Sequence, residues 1–120
     1  MAHSPRFEQL TADAKSRIRE IDATDAAQQL RDGAVLIDVR EKEEFDQGRA
    51  AGAKHLSKGV IEVKIEKEIP ALDTPIICYC GGGNRSALVA DNLQKMGYTN
   101  VQSMTGGFKA WKAAQLPTDS

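Results

Sequence analysis

At 120 residues the chain has the length of one domain, and its formal net charge is −1, with acidic and basic residues mixed along the sequence. That balance leaves no basic stripe for nucleic acid, and one tryptophan, two tyrosines and three phenylalanines are too few for a base-stacking surface. No apolar run exceeds five residues, far short of a membrane-spanning helix.

Residues 7–18 combine helix formers with apolar positions at Phe7, Leu10, Ala14 and Ile18, which predicts an N-terminal amphipathic helix. A short extended piece follows at 21–23. Thr24 suits the N-cap of a helix that runs to Leu30 and closes at Gly33. Residues 34–39 form a nearly continuous apolar run, the pattern of a strand covered on both faces. Residues 41–47 suit a short helix stopped by Gly48, and 52–56 another short strand. Ser57 can cap a segment that carries Val60, Ile61, Val63, Ile65 and Ile69 and ends before Pro70. Residues 75–79 read as a strand, 86–96 as a helix stopped by Gly97, 100–104 as a last strand, and 108–114 as a closing helix. Strands alternate with helices, so the expected fold class is α/β: a parallel sheet flanked by helices on both faces, with an extra N-terminal helix.

The strand at 75–79 delivers a cysteine into the loop Cys80-Gly81-Gly82-Gly83-Asn84-Arg85-Ser86. Three adjacent glycines let backbone N–H groups converge on one point, and a helix N-terminus behind them adds about half a positive charge. A free cysteine titrates near ~8.5, and lowering that by two units takes about 2.7 kcal/mol. A helix dipole supplies about 0.3–2 kcal/mol, so the loop N–H groups must supply the rest. Cys80 is therefore the candidate nucleophile for an anionic substrate, with Gly81, Gly82, Gly83, Asn84, Arg85 and Ser86 as candidate binding residues. Arg85 is the cation inside the loop. Cys78, in mid-strand, reads as core packing, and His55 as packing more than catalysis. The two cysteines stand one residue apart, a spacing that does not suit a disulfide, and no His or second Cys pair lies at zinc-ligand spacing. Neither a metal nor any cofactor is expected.

Three segments resemble, in order, the signatures of single-domain rhodaneses, which are sulfurtransferases. They are Asp38-Val39-Arg40-Glu41-Lys42-Glu43-Glu44-Phe45-Asp46-Gln47-Gly48 with Gly52-Ala53, the Cys80 loop, and Gly106-Gly107-Phe108-Lys109-Ala110-Trp111. The resemblance covers about residues 20 to 117. It implies a rhodanese-like domain over 20–120 and leaves 1–19 as an N-terminal helical extension. It also implies transfer of sulfane sulfur from thiosulfate, or another persulfide donor, to a thiophilic acceptor through a Cys80 persulfide. The partners would be small-molecule sulfur donors and acceptors, with a thiol protein as a further acceptor. A cytoplasmic monomer is expected, with no nucleic acid and no membrane.

Two departures stand out. Gly48-Arg49-Ala50 replaces the family's Gly-His-Ile, and Gly81 occupies a position that often holds a basic residue. Asp38 is expected to brace the loop region, and Arg40 to pair with Glu44 four residues on. Gly107, Phe108 and Trp111 read as a tight turn and an aromatic core face. A non-catalytic rhodanese-like binding module is the alternative, which the presence of Cys80 disfavours. Related phosphatases and arsenate reductases hold five residues between cysteine and arginine, whereas this loop holds four.

Overall fold

The computed structural model describes residues 3–120. Helix α1 (Pro5–Lys15) opens the chain, capped by the Ser4 hydroxyl and started by a proline, whose missing N–H is harmless in the first turn. It is followed by β1 (Arg19–Ile21), α2 (Ala23–Arg31), β2 (Val35–Asp38), α3 (Lys42–Gln47), β3 (Arg49–Ala50) and β4 (Lys54–His55). Then come α4 (Ile61–Glu68), β5 (Ile76–Tyr79), α5 (Asn84–Lys95), β6 (Val101–Met104), α6 (Gly107–Ala113) and β7 (Thr118–Asp119).

Five strands form one sheet in the order β1-β6-β5-β2-β4, and every neighbouring pair is parallel. Each strand residue points to the face opposite its neighbour's, so an unbroken apolar run feeds two cores at once. Ile37, Val39, Ile76 and Cys78 pack with Ile61 and Ile65 of α4 and with Val89 and Leu93 of α5. Leu36, Ile77 and Tyr79 point the other way, onto Ala26 and Ala27 of α2 and Phe108 and Trp111 of α6. This is an α/β architecture, a parallel sheet covered by helices on both faces. Among the described residues, no helix is long and apolar enough to cross a membrane.

Several local expectations shift. Asp22, not Thr24, caps α2, because its carboxylate accepts the Asp25 N–H at 2.8 Å. Helix α1 ends at Lys15, which frees Ile18 to pack against the first core. The apolar segment at 57–69 turns helical only at Ile61; Ser57 contributes its carbonyl, which accepts the N–H groups of Val60 and Ile61. A small antiparallel sheet pairs β3 with β7 and ties the chain's end to its middle.

Candidate active site

Strand β5 is central in the sheet, and the residue after it is Cys80. The loop that follows wraps its amides around the sulfur. The Gly83 N–H donates to Sγ at 3.1 Å and the Ser86 N–H at 3.4 Å. Ser86 Oγ lies 3.5 Å from Sγ, where its hydroxyl can donate to a thiolate. Ser103 Oγ of β6 stands 2.8 Å behind Ser86 Oγ, so both hydroxyls are partnered inside the core. Burial alone would raise the Cys80 thiol, but the Ser86 hydroxyl and the N–H groups of Ser86, Gly83 and Gly82 outweigh it and hold the thiol below its ordinary value. Cys78, two residues earlier, has no such donors, and burial pushes its thiol up to about 12. The strand thus holds an inert cysteine, and the loop that follows it an activated one.

The loop keeps this shape because α6 begins against its back. The Phe108 N–H donates to the Cys80 carbonyl at 2.7 Å, and the Lys109 N–H donates to the Gly81 carbonyl at 3.3 Å. Such contact requires a bare backbone at Gly107: it has φ +54°, and a Cβ there would stand 2.3 Å from the Cys80 carbonyl oxygen. Gly83 is constrained less severely: its φ of +105° favours glycine, and a Cβ would stand 3.2 Å from the Gly106 nitrogen.

Arg85 leaves the first turn of α5 and meets Glu44 of α3 in a two-bonded ion pair, Nη1–Oε1 at 2.8 Å and Nη2–Oε2 at 3.1 Å. Glu44 is therefore not the partner of Arg40, contrary to the i,i+4 expectation. Arg40 folds back on Asp38 instead, with Nη2–Oδ2 at 2.7 Å and Nε–Oδ1 at 3.0 Å, both side chains being buried. Tyr79 donates its hydroxyl to the same carboxylate at 2.7 Å and accepts the Ala50 N–H at 3.1 Å. Arg40 also donates to the Gly48 carbonyl and lies over the Phe108 ring at 4.5 Å. Asp38 and Arg40 thus join β2, β3 and α6 and do not contact Cys80. His55 packs as expected, stacked on Phe45 with its Nε2 at 2.8 Å from the Arg40 carbonyl. Arg49, which stands where the family places a histidine, donates to the Phe45 carbonyl at 3.2 Å. The Arg85 Nη2 atom lies 3.2 Å from where a Cβ on Gly81 would begin. The guanidinium therefore covers the ground that a basic residue at 81 would share.

Cys80 is 1% exposed, yet it lines an open cavity of about 430 Å³ with Gly82, Asn84 and Arg85. His3, Ser4 and Phe7, at the start of α1, line the same cavity. The sequence placed none of these three at the site, since periodicity marks which face of a helix is apolar and not what its end will touch. Among the described residues, no group of three or more His, Cys, Asp or Glu side chains gathers as a metal site.

Residues 22–114 match the profile of the rhodanese-like domain. Over 102 residues the chain is 38% identical to a protein named thiosulfate sulfurtransferase GlpE from Haemophilus influenzae, an alignment that spans 85% of this chain and 95% of that one. A protein of the same name from Actinobacillus succinogenes is 39% identical over 92 residues, 74% of this chain and 78% of its own. Among solved structures, a Rhodopseudomonas palustris protein described as a possible tyrosine phosphatase superposes with a TM-score of 0.83 at 28% identity over 99% of both chains. The polysulfide-sulfur transferase homodimer of Wolinella succinogenes also reaches 0.83, at 26% identity over 95% of this chain and 87% of that one.

Proposed function

We propose that this chain, which belongs to the rhodanese-like domain family and is an enzyme of the thiosulfate sulfurtransferase type, carries sulfane sulfur as a persulfide on Cys80. The reading rests on one observation above all. Sγ receives two backbone N–H groups and stands within reach of a hydroxyl at the floor of an open cavity, which favours a thiolate that a small anion can reach. The thiolate attacks the outer sulfur of thiosulfate. A bond forms between Sγ and that sulfur, the S–S bond of thiosulfate breaks, and its electron pair leaves with sulfite. The residues Gly81 to Ser86 hold the anion as it arrives and the persulfide that remains. An acceptor nucleophile then attacks the outer sulfur, and the pair of the broken bond returns to Sγ. The protein is neither oxidised nor reduced over the cycle. Asp38 and Arg40 serve by bracing the elements around the loop. The chain is read as a monomer, and a cysteine that must stay reduced between turnovers suits a reducing compartment such as the cytoplasm.

A phosphatase is the weaker reading. Its loop would need more room for a phosphoryl group and a guanidinium free to clamp it, whereas this loop has four residues between Cys80 and Arg85, and Glu44 occupies both terminal nitrogens of Arg85. The deciding experiment is intact-mass analysis of the reduced protein after exposure to thiosulfate. One added sulfur atom is expected, absent from Cys80→Ser, present in Cys78→Ser, and released by cyanide. No adduct removes thiosulfate as donor. No adduct from polysulfide or an organic persulfide either removes the persulfide mechanism and favours a binding module. Robust hydrolysis of an aryl phosphate by the unmodified protein would reassign the chain to the phosphatases.

A further inference from the structure

We infer that the N-terminal end of α1 is part of the active site, and that His3 and Phe7 form an aromatic wall selecting a low-molecular-weight organic thiol as the sulfur acceptor. The inference rests on the Cys80 persulfide reading. It concerns residues outside the stretch, 22–114, that matches the family.

The wall is held in place from the far end of its helix. Lys15 donates to the side-chain carbonyl of Asn84, itself a cavity residue, at 3.0 Å. Two residues beyond α1, Arg17 binds Asp91 of α5 through two bonds, Nε–Oδ1 at 3.0 Å and Nη2–Oδ2 at 2.7 Å. Gln94 of α5 donates to the Arg17 carbonyl at 3.0 Å. Between these ties and the helix start, Thr11 and Ala14 are buried. Helix α1 is thereby fixed along α5, whose first turn forms the end of the Cys80 loop. Its N-terminus then lines the same cavity as Cys80, with the half-buried Phe7 ring and the His3 ring tilted against it at 4.9 Å between centroids.

The two rings themselves offer little to thiosulfate or cyanide. Both are small hydrated anions, served by N–H groups and charge. An aromatic pair stabilises a ligand that brings apolar surface of its own. The cavity volume of about 430 Å³ lies within the range of sites that enclose whole organic molecules. Among the described lining residues the permanent cation is Arg85, and its pairing with Glu44 leaves it less free to hold a strongly anionic body. An organic thiol fits these demands together. Its sulfur reaches the floor while its body lies along Phe7 and His3. The thiolate of the acceptor attacks the outer sulfur of the Cys80 persulfide, a new S–S bond forms, the bond to Sγ breaks, and Sγ leaves with the electron pair. The product is the acceptor's persulfide, and the enzyme is again a thiolate.

The test loads the full-length protein from thiosulfate and compares kcat/KM for two alkyl thiols, 2-phenylethanethiol and 2-mercaptoethanol. The wild type should prefer the aromatic thiol, and Phe7→Ala should cut that preference about five- to tenfold, the worth of one aromatic contact. Phe7→Leu should fall between. His3→Ala, at an exposed residue before the helix, should lower the preference about two- to threefold without a risk to folding. A wild type with no preference, or a Phe7→Ala preference within twofold of wild type, overturns the inference. So does a Phe7→Ala defect confined to a protein thiol, assayed with reduced thioredoxin. A wild type that takes up sulfur from neither thiosulfate nor polysulfide nor an organic persulfide overturns the persulfide reading and this inference with it, whereas the other outcomes leave that reading intact.

Discussion

Around Cys80, burial and hydrogen bonding pull the thiol in opposite directions. Burial disfavours the anion, while each bond to a charged acceptor contributes about 1.5–3 kcal/mol, and the donors win. Since the folded thiol titrates below the unfolded one, the unfolded chain binds more protons in the interval between them. Stability from this site is therefore fully present above about pH 8.5 and lost as pH falls through the folded value. Iodoacetamide should accordingly label Cys80 with a midpoint below ~8.5. Ser86→Ala, which removes the hydroxyl but keeps the N–H, should raise that midpoint and slow labelling at pH 7 about three- to tenfold. Labelling of the wild type at or above the free-thiol midpoint would mean that the amides do not stabilise the anion. The cradle was legible because glycines, a cysteine and a helix start stand together in seven residues. The partner of Arg85 was not. Glu44 is 41 positions away, and only the docking of α3 beside α5 brings the two together. The nearer pairing of Arg40 with Glu44 failed for a related reason: the chain turns after β2, and the guanidinium closes back on Asp38.

Elements act on the site through their ends. Helix α6 was legible as a helix, from its glycine pair and its aromatic spacing, but its grip on the loop was not. That grip is two amides meeting the carbonyls of Cys80 and Gly81, and it depends on the absence of a Cβ at Gly107. No side-chain rotation can relieve a 2.3 Å overlap with backbone oxygen, so either α6 or the loop must move. Gly107→Ala should destabilise the protein by more than the ~1 kcal/mol of a tolerated glycine change, read as a lower thermal midpoint. It should also abolish the enhanced labelling of Cys80. Fast labelling in a destabilised variant would separate the loop's geometry from its seat on α6. The short pair β3 and β7 escaped sequence analysis because two-residue strands carry no period. Asp22 displaced Thr24 as a cap because either residue type can cap, and position in the fold decides between them.

Across the whole molecule, the alternation of strands and helices was enough to read the sheet and its two covered faces, since each apolar run had to feed both. It could not reveal that the first helix returns to the active site, because that is set by one ion pair and two further hydrogen bonds between groups 69 to 77 residues apart in sequence. Those ties hold α1 on the outside of α5. Among the described residues neither apolar core draws on one before Ile18, so the sheet is complete without α1. We therefore expect a chain lacking residues 1–15 to fold cooperatively around the same sheet, consistent with a domain that begins near residue 20. Its thermal midpoint should drop by several degrees, because Thr11 and Ala14 no longer cover α5 and Lys15 no longer binds Asn84. Cys80 should still take up one sulfur from thiosulfate, since the groups that hydrogen-bond to Sγ lie within Gly82 to Ser86. Calorimetry together with intact mass reads both. Loss of a cooperative transition would make α1 part of the folding unit. A cooperative transition with no sulfur uptake would mean that α1 shapes the cradle itself as well as its wall.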